Sequence, residues 1–149
     1  MAVRFPSLEF FQALQQRTIE DKARFEKLGY CDTTFGVRIG GNLYAIAFEV
    51  YECTSVRAAS DSHGLDFVLE APLELWREMV ASIVKNKGAD AAHTLNTLSH
   101  VGDRMKLVSE DAEGNDKFYR FQASLQEFFD QARNLEVTLS TAGGVPAGA

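Results

Sequence analysis

A chain of 149 residues is the size of one ordinary domain and is short for two. Its composition, 46% hydrophobic and 24% charged, belongs to a folded globular protein and excludes disorder, collagen-like repeats and a disulfide scaffold. Fifteen Lys and Arg against 21 Asp and Glu leave a formal charge of -6, so the concentrated positive surface that duplex nucleic acid demands is not supplied.

Ser7 follows Pro6 in the position of a helix cap. The spacing of Leu8, Phe11, Leu14, Phe25 and Leu28 predicts one helix over 8–28, stopped by Gly29. The period then falls to two: Phe35, Val37 and Ile39 alternate with Gly36, Arg38 and Gly40, and Gly40-Gly41-Asn42 supports a tight hairpin. A second strand is predicted over 43–56, with Tyr44, Ile46, Phe48 and Val50 on one face and Ala45, Ala47, Glu49, Tyr51 and Cys53 on the other. A polar loop over 58–64 leads to a third strand over 66–71, with Phe67 and Leu69 inward and Asp66, Val68 and Glu70 outward.

Pro72 suits the first turn of a helix, and Leu73, Trp76, Val80, Ile83 and Val84, widened by Leu75 and Met79, form its apolar stripe up to Gly88. A short helix is expected over 89–99, carrying Ala91, Ala92, Leu95 and Leu98. After Gly102 comes a strand over 105–109, a solvated acidic turn over 110–116 and a strand over 117–121 that pairs back. A last helix sets Leu125, Phe128, Phe129 and Ala132 at i, i+3, i+4 and i+7. The order α-βββ-αα-ββ-α gives an α+β domain over 1–140, with a largely antiparallel five-stranded sheet covered on one face by helices. The Gly/Ala-rich tail 141–149 is expected to be flexible.

Few residues offer chemistry. His93 and His100 stand seven apart, too far for one metal ion, and His63 lies in the polar loop, so no metal site and no cofactor is expected. Cys31 and Cys53 match no metal or redox spacing, and the start of the chain has no apolar leader segment. Both features point to reduced thiols in a cytoplasmic protein. No run approaches the length of a membrane span. Glu49, set mid-strand among Ala45, Ala47, Tyr51 and Cys53, is the one candidate general base, provided that its face is covered and desolvation raises its pKa. What remains is apolar. Eleven Phe with one Trp and four Tyr build dry volume, which serves equally as a filled core or a lined cavity.

Phe35-Gly36-Val37-Arg38-Ile39 resembles the opening strands of the sterol carrier (nonspecific lipid-transfer) domain family. The run from Asp66-Phe67-Val68-Leu69-Glu70-Ala71-Pro72 into Leu73-Glu74-Leu75-Trp76 resembles that family's passage from third strand to central helix, and Gly102-Asp103-Arg104-Met105-Lys106-Leu107 its later strand. The likeness spans about residues 7–132; the acidic turn 110–116 and the helical region 81–100 are longer than the family pattern. The resemblance implies no catalytic residues, but a tunnel between helices and sheet for an acyl chain, a sterol or a similar lipid. Its lining would come from Trp76, Met79, Val80 and Ile83 of the central helix and Leu125, Phe128 and Phe129 of the last, with Phe48 and Met105 on the sheet wall.

Three readings stand at this point. The first is a soluble binding protein for a hydrophobic small molecule, without nucleic acid or integral membrane association. The second is an isomerase or dehydratase acting on an apolar substrate with Glu49 as base. The third is an oligomerisation or interaction module, such as a homodimer, whose Phe-rich last helix is interface.

Overall fold

The computed structural model describes residues 2–100, 104–110 and 112–139. The chain opens with strand β1 (Val3–Phe5) and helices α1 (Leu8–Glu20) and α2 (Lys22–Leu28). It then runs through strands β2 (Thr33–Ile39), β3 (Asn42–Glu49), β4 (Glu52–Ala59) and β5 (Phe67–Ala71). Helices α3 (Leu73–Asn86) and α4 (Leu95–His100) follow, then strand β6 (Lys106–Val108) and helices α5 (Ala112–Arg120) and α6 (Gln122–Asp130). A 3-10 turn at Gln131–Asn134 leads into strand β7 (Val137–Leu139).

Five strands form the main sheet in the order β4-β3-β2-β5-β6. β2 turns into β3 through Gly40-Gly41, with Ile39 opposite Asn42 and Gly40 at φ 58°, the hairpin that the two glycines imply. β3–β4 and β5–β6 are also antiparallel, but β5 returns to the free edge of β2 and pairs with it in parallel, Phe35 opposite Phe67. The α+β class therefore holds, while the sheet is mixed. Its inner face carries Phe35, Val37, Ile39, Tyr44, Ile46, Phe48, Phe67 and Leu69, all in one apolar cluster with the helices. β1 and β7 form a separate two-stranded parallel sheet, Val3 opposite Val137, which joins the two ends of the described chain. Strands of three residues are too short to show a period in sequence.

Ser7 does cap α1: the Phe10 N–H donates to its Oγ at 3.0 Å. The single helix expected over 8–28 is instead two, broken at Asp21. The Asp21 carboxylate there accepts from Gln131 Nε2 at 2.9 Å and pairs with Arg24 at 3.3 Å. The bend lets α2 lay Phe25 against Phe48, ring centroids 6.2 Å apart. The strand expected over 43–56 is a hairpin, because Val50 adopts φ 61° and its carbonyl accepts from the Cys31 N–H, a turn without the glycine that normally announces one.

The largest difference lies at 110–121. The expected turn and returning strand form α5, which lays Phe118 against Phe67 at 5.7 Å and pairs Lys117 with Asp66 at 3.3 Å. Gly114, which reads as a turn residue, is there because α5 crosses the backbone of Asp66 too closely for any side chain. The main sheet thus reaches five strands by the extra β3–β4 turn, not by a strand at 117–121. The helix expected over 89–99 is reduced to α4, preceded by turns in which Asp90 Oδ1 accepts from the Ala92 N–H. Val68, expected outward and solvated, is buried on the outer face beside Gly36. Gly102 and the tail 141–149 lie outside the described residues.

Candidate functional site

All nine residues expected to line a tunnel come together between α3, α6 and the inner face of the sheet. Trp76, Met79, Val80, Ile83, Leu125, Phe128 and Phe129 are fully buried, and Phe48 and Met105 nearly so. Trp76 stacks on Phe129 with centroids 5.6 Å apart; Phe128 meets Phe129 and Phe48 edge-on, each at 5.6 Å, and Phe11 reaches Phe129 at 6.3 Å. None of the 11 phenylalanines is more than 6% exposed. The layer is ring packed on ring, and a guest must part these contacts to enter it. One polar group is held at its margin: Trp76 Nε1 donates to the Arg38 carbonyl at 2.9 Å.

One wall of this layer is fastened by side chains. Residues 88–98 press Leu95 and Leu98 onto it. The Ala89 N–H donates to Asp130 Oδ1 at 3.2 Å, the Asp90 N–H to Ser82 Oγ at 3.1 Å, and the Leu95 N–H to Gln126 Oε1 at 2.8 Å. Gln126 Nε2 also donates to Asp130 Oδ1, so two side chains of α6 form one clasp. Burial pushes the Asp130 carboxyl above its ordinary pKa, against the hydrogen bonds from Gln126 and Ala89 that favour its charge. Where β-pairing would hold a wall by a ladder, this one is held by three side-chain acceptors.

The other expected sites fall elsewhere. Glu49 is exposed at the end of β3, next to the turn and opposite Glu52, so the covered face that its role as a base required is not there. The period-two pattern that set it mid-strand in the sequence is interrupted by the unannounced turn. Cys31 and Cys53 are free thiols, and burial pushes both up to about 12. His93 lies 2.7 Å from Asp90 Oδ1 and 3.5 Å from Glu78 Oε1. Among the described residues no group of three His, Cys, Asp or Glu could hold a metal ion, and no helix is long and apolar enough to cross a membrane. Phe128 and Phe129 face the core, so the last helix does not present them as an interface.

A groove of about 290 Å³ lies at the junction of β5 and α3, lined by Arg38, Gly40, Glu70, Ala71, Pro72, Arg104 and Lys106. Arg38 Nε donates to Glu70 Oε2 at 3.3 Å, and Arg104 makes a bidentate pair with Glu78 at 2.9 and 3.1 Å. Lys106 has no carboxylate within ion-pair distance among the described residues. Sequence reasoning missed this site, although the alternation Arg104-Met105-Lys106 held the signal: the outer two side chains go to the groove and the middle one to the apolar layer.

No family model matches the sequence, and no curated protein matches it. Solved structures do. The crystal structure of sterol carrier protein 2 superposes with a TM-score of 0.62 at 15% identity, covering 85% of this chain and 95% of that one. The solution structure of a conserved hypothetical protein from Thermus thermophilus, itself a candidate sterol carrier protein, gives a TM-score of 0.62 at 13% identity, covering 91% of each chain. The fold is sterol-carrier-like. The resemblance seen in the strand and helix patterns is therefore borne out at the level of architecture, in a divergent sequence.

Proposed function

We propose that this chain is a soluble binding protein for a hydrophobic molecule such as a fatty acyl chain, a sterol or a similar lipid, held between α3, α6 and the inner face of the sheet. The observation that carries the reading is the pairing of a sterol-carrier-like fold with an aromatic layer whose cover is fastened by side chains. Loading proceeds by release of residues 88–98 from Gln126 and Asp130, which exposes Met79, Ile83, Leu125 and Phe128 to the guest. The two buried, unpaired thiols support a cytoplasmic location. Selectivity among chain lengths is shallow, since one methylene more or less changes affinity little.

Trp76 is the only tryptophan, and it sits within this layer, so its emission reports the site directly. Delipidated protein is titrated with palmitate, cholesterol and a dansyl-labelled fatty acid, and the freshly purified protein is extracted with organic solvent. The expected results are a saturable change of Trp76 emission, with energy transfer to the dansyl group, and recovery of a lipid. A spectrum unmoved by all three probes, together with an empty extract, rejects the reading.

A further inference from the structure

We propose that the groove of Arg38, Arg104 and Lys106 is the head-group site of an anionic amphiphile, so that the cargo is an acid-headed chain in preference to a neutral sterol. This inference rests on the lipid-binding reading above and narrows it.

Three cations converge on a concave site in a chain whose net charge is -6. The two carboxylates near them are already engaged, Glu70 by Arg38 and Glu78 by Arg104, and the Lys106 ammonium is left over. A head group arriving there meets an uncompensated positive charge, with both guanidiniums free to donate further N–H groups, since each guanidinium carries five. Pro72 closes the same groove at the start of α3, whose N-terminus has no capping side chain and adds its positive end to the field.

The groove also borders the apolar layer on two sides. Lys106 and Arg104 flank Met105, which is 1% exposed and packs in the core cluster. Arg38 offers its side chain to the groove and its carbonyl to Trp76 Nε1. A single chain can therefore keep its acid group against Lys106 while its methylenes pass Met105 toward Trp76. A sterol hydroxyl has no charge to set there. The volume suits a carboxylate or a phosphate group, and either one fulfils the same electrostatic role.

The test compares palmitate with hexadecanol, read by Trp76 emission, in the wild type and in a Lys106→Gln/Arg104→Gln variant; inorganic phosphate alone is a third ligand. Both substituted side chains are exposed, so circular dichroism and thermal melting are expected to match the wild type. Palmitate is expected to bind roughly five- to tenfold more tightly than hexadecanol at low salt, the scale of a partly solvated charge contact. The advantage disappears in the variant and in high salt, with hexadecanol unchanged. Equal binding of the two by the wild type, or an advantage that survives the substitutions, overturns the head-group site and leaves the lipid-binding reading intact. Saturable phosphate binding with no preference for palmitate overturns it in favour of a free-anion site. If neither amphiphile binds, the broader reading fails and the head-group assignment with it.

Discussion

Replacing Gly114 by Ala tests how α5 docks. A Cβ built on Gly114 would overlap the Asp66 carbonyl oxygen, stand 2.7 Å from Ser109 Cβ and come within 3.2 Å of the Asp66 carbonyl carbon. Most of these atoms are backbone at the start of β5, so no side-chain rotation relieves the overlap, and α5 must lift. Lifting it loosens the Lys117–Asp66 pair and the edge-to-face contact of Phe118 with Phe67. Overpacking of this kind costs about 3 kcal/mol, of which about 1 kcal/mol is offset by the better helix propensity of Ala. The net loss of about 2 kcal/mol corresponds to a Tm lower by roughly 4–8 °C in a chain of this size. Urea and thermal unfolding of Gly114→Ala measure it. Gly41→Ala, with no heavy atom within 4 Å of the new Cβ, is the neutral control. A Gly114→Ala protein as stable as the wild type, or more stable by its propensity gain, would mean that α5 does not cross Asp66 as closely as described.

Two further outcomes follow from buried titratable groups. Cys31 and Cys53, raised by burial to about 12, are expected to resist iodoacetamide at pH 8 in the native protein and to react within minutes in urea; prompt native labelling of either contradicts the burial. Asp130 is held above its ordinary pKa by desolvation, so the folded protein binds its proton more tightly than the unfolded chain does, and stability falls as pH rises from about 4 through the raised value. Urea unfolding between pH 4 and 7 is expected to show this fall flattened in Asp130→Asn; parallel curves for the two proteins refute the assignment.

The architecture was legible where the side-chain period was long and its boundaries were marked. Gly29, Gly40-Gly41 and Pro72 each stand where backbone geometry demands them, and the stripe from Leu73 to Ile83 became α3 with the expected face inward. Reading failed where a boundary carried no marker or a marker meant something else. Val50 turns the chain with a β-branched residue, so nothing in 43–56 suggested two strands. Gly114 looked like a turn because close backbone approach and positive φ leave the same letter in the sequence. The nine lining residues were identified as a group because they are apolar and periodic, which is also why pattern alone left their packing undecided. The groove was missed for a different reason: Arg38, Glu70, Arg104 and Lys106 are brought together by the parallel β2–β5 pairing, a long-range feature that no local window contains.

The closed aromatic layer and the charged groove constrain one another. A chain burying about a dozen methylenes gains roughly 10 kcal/mol, and association costs at least about 4 kcal/mol. In an open tunnel that difference alone gives a dissociation constant of tens of micromolar. Here the guest must also part Trp76 from Phe129 and Phe128 from Phe48, at about 0.5–1.5 kcal/mol for each ring pair, and release the clasp of Gln126 and Asp130. A purely apolar guest is left with weak, submillimolar binding. The surplus that would make a useful carrier has to come from longer chains or from contacts outside the layer, and Lys106 with its two flanking arginines is positioned to supply the second. On this argument the packed interior works as a filter: it holds the protein shut against short or neutral guests and yields to a long chain whose head is captured first.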